Sequence, residues 1–135
     1  MSRCLVSQAG FARRLFLLWV LCLIGAGAHA QLSRNLPLNS LRGSITFDSS
    51  TQVTLNGEDA RLAPGARIRG QNNMLVLSAG LIGQSYQVNY ILDFQGLVKD
   101  VWLLRDDEAA ALWPSTPKEA ATWHYDGVQR VWVKP

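Results

Sequence analysis

Gln84-Ser85-Tyr86-Gln87-Val88-Asn89-Tyr90-Ile91-Leu92-Asp93 (residues 84–93) is the clearest strand of this 135-residue chain. Tyr86, Val88, Tyr90 and Leu92 fall on one face, and Gln87, Asn89 and Asp93 on the other. That period of two marks a β-strand with one buried face. Asp93-Phe94-Gln95-Gly96 makes a loop, and Leu97 to Leu104 returns antiparallel.

The same grammar extends upstream. Ile45 and Phe47 alternate with Ser44, Thr46 and Asp48; Val53 and Leu55 alternate with Gln52 and Thr54. Asn56-Gly57 tolerates the positive φ angles of a type I′ turn and closes a tight hairpin with the return strand Glu58 to Leu62. Ala63-Pro64-Gly65-Ala66 reads as a further turn, followed by a short strand, Ala66 to Arg69. Met74 to Ala79 is strongly apolar and reads as a central strand covered on both faces.

Downstream, Asp106 is the expected N-cap of a short helix near residues 106–113, which Pro114 and Pro117 end. Trp123-His124-Tyr125 and Val128 to Val133 flank Asp126-Gly127 as a last hairpin. Short strands, turn signals every 8–12 residues and no crossover helices predict a mainly all-β fold, a small antiparallel β-barrel or sandwich with one short helix.

The first thirty residues concern location. Arg3, Arg13 and Arg14 precede an apolar run over residues 15–28, and Ala28-His29-Ala30 supplies the small residues of a cleavage site. The run is shorter than the roughly 20 residues of a membrane-crossing helix. We expect a cleaved signal peptide (residues 1–30), Gln31 as the first mature residue, and a periplasmic protein without a stable membrane anchor. Arg13-Arg14-Leu15-Phe16-Leu17 resembles a twin-arginine core, but Ala12 and Leu18 depart from it, and the general secretory route fits better. Leu21 before Cys22 argues against a lipid-attachment site.

Residues 31–41 then form an extended lead-in, 42–113 the β-rich domain, and 114–135 a linker and possible hairpin. Three of the 13 basic residues lie in the expected signal and none of the 10 acidic ones, so the mature chain carries ten of each sign. Nothing in that balance points to nucleic acid. Both cysteines, Cys4 and Cys22, lie in the signal, so the mature chain has no thiol.

Catalytic signatures are missing. Asp106, Asp107 and Glu108 are adjacent, and successive helical residues diverge by roughly 100°, so they cap a helix rather than converge on a metal. His124 lacks a nucleophile-elbow partner. We expect no catalytic residue, no metal ligand set and no cofactor. Asp93 and Asp100 stay open as carboxylates that only the fold could pair for hydrolysis. Two contact surfaces are conceivable: Trp123, Tyr125 and Trp132 on one face of the last hairpin, and Arg61, Arg67 and Arg69 as a basic strip with Arg42 nearby. Trp102 reads as core.

Leu62-Ala63-Pro64-Gly65-Ala66-Arg67-Ile68-Arg69-Gly70, Val88-Asn89-Tyr90, Asp93 to Gly96 and Val101-Trp102-Leu103-Leu104 carry a resemblance. With them the stretch Leu41 to Ala110 resembles a family of small exported, periplasmic, β-rich proteobacterial proteins of uncharacterised role. The resemblance implies an envelope location and little else. The Asp-Phe-Gln-Gly hairpin is also similar to hairpins of small outer-membrane assembly accessory proteins, whose leading helices and lipidated Cys this chain lacks. The reading that follows is a non-enzymatic envelope adaptor or accessory protein acting through protein contacts. The alternative is a barrel that binds a glycan, peptide or small anion.

Overall fold

The computed structural model describes residues 34–135; the expected signal and cleavage residues Ala28, Ala30 and Gln31 lie outside them. Eight strands form: β1 (Leu41–Phe47), β2 (Gln52–Leu55), β3 (Glu58–Arg69), β4 (Leu75–Val76), β5 (Ser85–Leu92), β6 (Val98–Leu103), β7 (His124–Asp126) and β8 (Val131–Val133). A 3-10 turn (Ser78–Leu81) precedes β5, and two short helices, α1 (Asp106–Ala110) and α2 (Pro117–Thr122), follow β6.

The large sheet runs β2-β1-β5-β6-β3-β4, and β2 also pairs with β3. That extra pairing closes β1, β2, β3, β5 and β6 into a five-stranded barrel. β6 lies between β5 and β3, antiparallel to the first and parallel to the second. Around the barrel the strands pair in the order β1-β2-β3-β6-β5 and back to β1. The predicted β-barrel is therefore present, with one parallel pairing; the chain reaches it through β4, the 3-10 turn and β5 in place of a crossover helix.

β3 is the pivot of the closure. Its first residues pair with β2 (Gln52↔Arg61 to Leu55↔Glu58) and its last with β6 (Arg67↔Asp100 to Arg69↔Trp102). Between Leu62 and Arg67 the register shifts, and Gly65 takes φ +74°. Ala63 to Ala66 is thus a kink inside one 12-residue strand, not the turn between two strands that the sequence suggests. Asn56 (φ 53°) and Gly57 (φ 82°) make the predicted tight turn.

The core lies inside the barrel. Ile45, Phe47, Val53, Val88, Val98 and Val101 are at most 1% exposed, each contributing about 1.5–3 kcal/mol through burial. A second register shift, between Ile91 and Leu92, lets both Val98 and Val101 turn inward despite their odd spacing. It also ends the alternation of β5, so Leu92, predicted inward, is exposed. The predicted central strand, Met74 to Ala79, shrinks to the two-residue edge strand β4. Met74, Leu75 and Leu77 are exposed there because the closed barrel leaves β4 outside.

An outer layer covers one face of the sheet. Arg42 and Asn89 are register partners, as are Asn89 and Trp102. Asn89 is fully buried, with Oδ1 accepting from Arg42 Nε at 2.7 Å and Nδ2 donating to Ser40 Oγ at 3.0 Å. Arg42 Nη1 donates to the carbonyls of Ala109 and Ala111, and its guanidinium lies 5.8 Å from the Trp113 ring centre. Burial lowers the Arg42 pKa, and the charge of Glu108 opposes that shift. Trp113 Nε1 donates to the Ser40 carbonyl at 2.8 Å. Trp102 is buried as predicted, but on this outer face rather than in the barrel core cluster.

Arg34 clasps the lead-in to this layer. It reaches Glu108 through Nε (2.8 Å) and Nη2 (2.9 Å), and donates to the carbonyls of Gly70 and Leu103. Glu108 Oε2 also accepts from the Arg105 backbone N–H at 2.9 Å, so Arg105, not Asp106, is the N-cap of α1. Pro117 does not end a helix; it occupies the first turn of α2, where its missing N–H costs nothing. Thr116 caps α2 by accepting from Glu119 N–H at 3.2 Å. The hairpin β7–β8 forms, but Val128 to Arg130 belong to its loop and the return strand starts at Val131.

Two predictions follow from this packing. Arg34 and Glu108 side chains are 7% and 9% exposed, so Glu108→Gln strands a buried cation and should cost about 3 kcal/mol. Asp107→Asn, at a half-exposed 3.6 Å contact with Arg105, should cost less than about 1 kcal/mol; urea unfolding separates the two. Burial raises the Tyr90 pKa, against the lowering effect of its hydrogen bond from Asn56. The native state thus holds this phenol neutral where the unfolded chain ionises. Its contribution is full below about pH 10 and is lost as pH rises through the raised native value. Tyr90→Phe should flatten the alkaline fall of the unfolding midpoint; parallel curves for the two proteins would refute this.

Candidate functional site

The β3 kink does more than close the barrel. Where Ala63 to Ala66 swing away from the sheet, they open a groove of about 620 Å3. Its floor and walls are Leu62, Pro64, Ala66 and Ile68 of β3, with Val76 and Leu77 after the β3–β4 turn and Leu97 from the β5–β6 loop. Ser50 and Thr51 of the β1–β2 loop, together with Ser78, add hydroxyls. The size falls within the range of small-ligand sites. Leu77 stands 81% exposed at its edge, and Phe94, in the same loop as Leu97, is also exposed.

Arg61 is the one charged residue among the groove's lining. It also borders a cleft of about 440 Å3 on the neighbouring surface, lined by Asp48, Asp59 and Thr54. Asp48 there accepts from Thr54 Oγ1 at 2.8 Å. Arg61 makes no ion pair with any described residue.

The basic strip does not assemble as the sequence suggests. Arg67 and Arg69 lie past the kink, beside β6, where Arg67 Nε donates to Asp100 at 2.8 Å and Arg69 is the register partner of Trp102. Arg61 lies before the kink, beside β2. Arg42 is on another strand, engaged with Asn89 and the carbonyls after α1. Strand spacing alone could not show the kink that parts them.

The aromatic hairpin brings two of its three rings, Tyr125 and Trp132, into contact. Tyr125 and Trp132 are cross-strand partners with ring centres 5.4 Å apart, while Trp123 precedes the paired strand as the C-cap of α2. Trp132 is buried, however, and meets Trp113 edge-on at 5.9 Å. Trp123 is half-buried with Lys134 Nζ 5.1 Å from its ring centre. These rings chiefly seat the hairpin on the barrel's outer layer.

The candidate carboxylates are also engaged. Asp93 Oδ1 accepts from the N–H groups of Gln95 and Leu97, shaping the β5–β6 loop. Asp100 is buried against Arg67, and Glu108 belongs to the Arg34 clasp. Among the described residues no three His, Cys, Asp or Glu side chains gather into a metal site. His124 is exposed on β7. The sequence reading missed the groove because backbone shape makes it; its signal was Pro64-Gly65 inside a strand.

No family model, no curated protein and no solved structure matches this chain.

Proposed function

We propose that this protein is an exported, periplasmic, non-enzymatic binding domain, an envelope adaptor or accessory protein that holds a segment of a partner. The observation that carries the reading is the groove at the β3 kink, lined mainly by apolar residues and set against the closed barrel. Pre-formed apolar concavities with a few polar groups are the usual form of a binding site. The strand order resembles that of OB-type barrels, whose strand 2–3 face and adjoining loops bind oligonucleotides and oligosaccharides; the analogy supports a binding role for this side of the barrel and leaves the kind of ligand to the groove's own chemistry. The leader-like sequence of residues 1–30, basic then apolar then small, supports the location, as does the resemblance to exported proteobacterial proteins. Because Trp132 and Tyr125 are spent on internal packing, the contact surface moves from the C-terminal hairpin to the groove.

The test is site-specific photo-crosslinking in cells that express the full chain. A photoreactive residue at Leu77 should give one dominant adduct in the periplasmic fraction, on a chain beginning at Gln31. The same residue at Val128, exposed on the hairpin loop, should not. Filling the groove with Ala66→Trp should remove the adduct. Equal labelling from both positions, or turnover of an envelope substrate by the purified protein, would sink the proposal.

A further inference from the structure

Resting on that reading, we infer that the groove recognises the apolar C-terminal end of a peptide, with the terminal carboxylate paired to Arg61. The walls Leu62, Pro64, Ile68, Val76 and Leu77 call for apolar side chains. The volume of about 620 Å3 suits a short chain segment rather than a folded surface. Arg61 supplies the one charge of the lining, positive and without an internal ion pair. By contrast Arg34 and Arg105 engage Glu108, and Arg67 engages Asp100. A planar guanidinium can take a carboxylate through two parallel hydrogen bonds.

The surface beyond Arg61 restricts what carries that carboxylate. Asp48 and Asp59 line the adjoining cleft, which Arg61 also borders, and neither lines the groove. A ligand with charge repeated along its length would follow its first contact with Arg61 by meeting these two carboxylates. A single terminal carboxylate stops at the guanidinium and avoids them. The same pair of acids disfavours a phosphodiester backbone, which needs a run of basic contacts. Ser50 and Thr51 supply hydroxyls for the peptide's backbone groups, while the Ser78 hydroxyl donates to the Ser50 carbonyl at 2.8 Å and keeps only its acceptor side for a ligand.

The experiment uses protein purified from the periplasmic fraction of cells expressing the full chain. The probes are two pools of fluorescein-labelled hexapeptides with Leu, Val or Phe at each of the last three positions. One pool has free C-terminal carboxylates, the other C-terminal amides. Fluorescence anisotropy should show the acids binding at least tenfold more tightly. Arg61→Gln, at an exposed position, should erase that preference and leave amide binding within about twofold. Ala66→Trp should abolish binding of both pools, with circular dichroism verifying that each variant is folded. Acids and amides binding equally would overturn the carboxylate assignment while leaving the Leu77 crosslink, and so the binding function, intact. Failure of both pools to bind would overturn the inference, as would salt-sensitive binding of labelled oligothymidine in preference to the acids.

Discussion

A single kink, at Ala63 to Ala66, holds the architecture together. A straight strand would pair with β2 or with β6 along its whole length, and the sheet would stay open. By bending, β3 serves β2 with its first half and β6 with its second, and five strands close. Gly65 makes the bend possible, since φ +74° is strained for any residue with a side chain. Pro64 fixes its own φ and donates no N–H, so it suits a place where the ladder is interrupted. Closure removes most of the exposed strand edges that a small sheet would otherwise present. It leaves β4 at the edge of the sheet, beside the groove that the same kink opens.

A second face of the barrel, covered by the chain after β6, is given over to structure. Ser40, Arg42 and Asn89 are polar residues on what would be a solvated surface, yet the chain after β6 lies across them. Each buried polar atom then needs a partner, and the network largely supplies one: Asn89 bonds Arg42 and Ser40, Ser40 bonds Pro37 and Trp113, and Arg42 bonds two carbonyls. Such a network specifies how the C-terminal segment docks, because a shift by one residue would orphan several groups at once. Arg34 with Glu108 fixes the other end of the same cover. A surface so committed is closed to a ligand, while the groove side keeps apolar groups in water.

How much of this was legible follows from which interactions are local. The alternation in residues 84–93 and the Asn56-Gly57 turn depend on neighbours along the chain, and the strands and the hairpin appear where the residues place them. Ala63-Pro64-Gly65-Ala66 has the composition of a turn, and only pairing with two different strands makes it a kink. Met74 to Ala79 has the hydropathy of a buried strand, but the barrel closes without it. Asn89 reads as solvent-facing from its period of two, because that period cannot reveal a later segment folding over it. The Arg61, Arg67 and Arg69 spacing looks continuous for the same reason: the displacement between them arises from register, which individual side chains do not encode.

The groove's chemistry follows from its origin. Side chains do not converge to build it, as they would at a catalytic centre; the backbone withdraws, and small residues such as Ala63, Gly65 and Ala66 keep the space open. A site made by withdrawal offers shape and hydrophobicity, and its directional polar chemistry comes from its rim. That rim holds a few hydroxyls and one guanidinium, with two carboxylates just beyond it. Apolar walls supply affinity without much discrimination between similar side chains, since a methylene more or less changes binding by only about 1–3 kcal/mol. For the proposed ligand, discrimination would fall to the polar end, where Arg61 borders a cleft that also holds Asp48 and Asp59. Barrel closure and the groove thus share a cause in the bend of β3, and Arg61 sits where the two clefts meet.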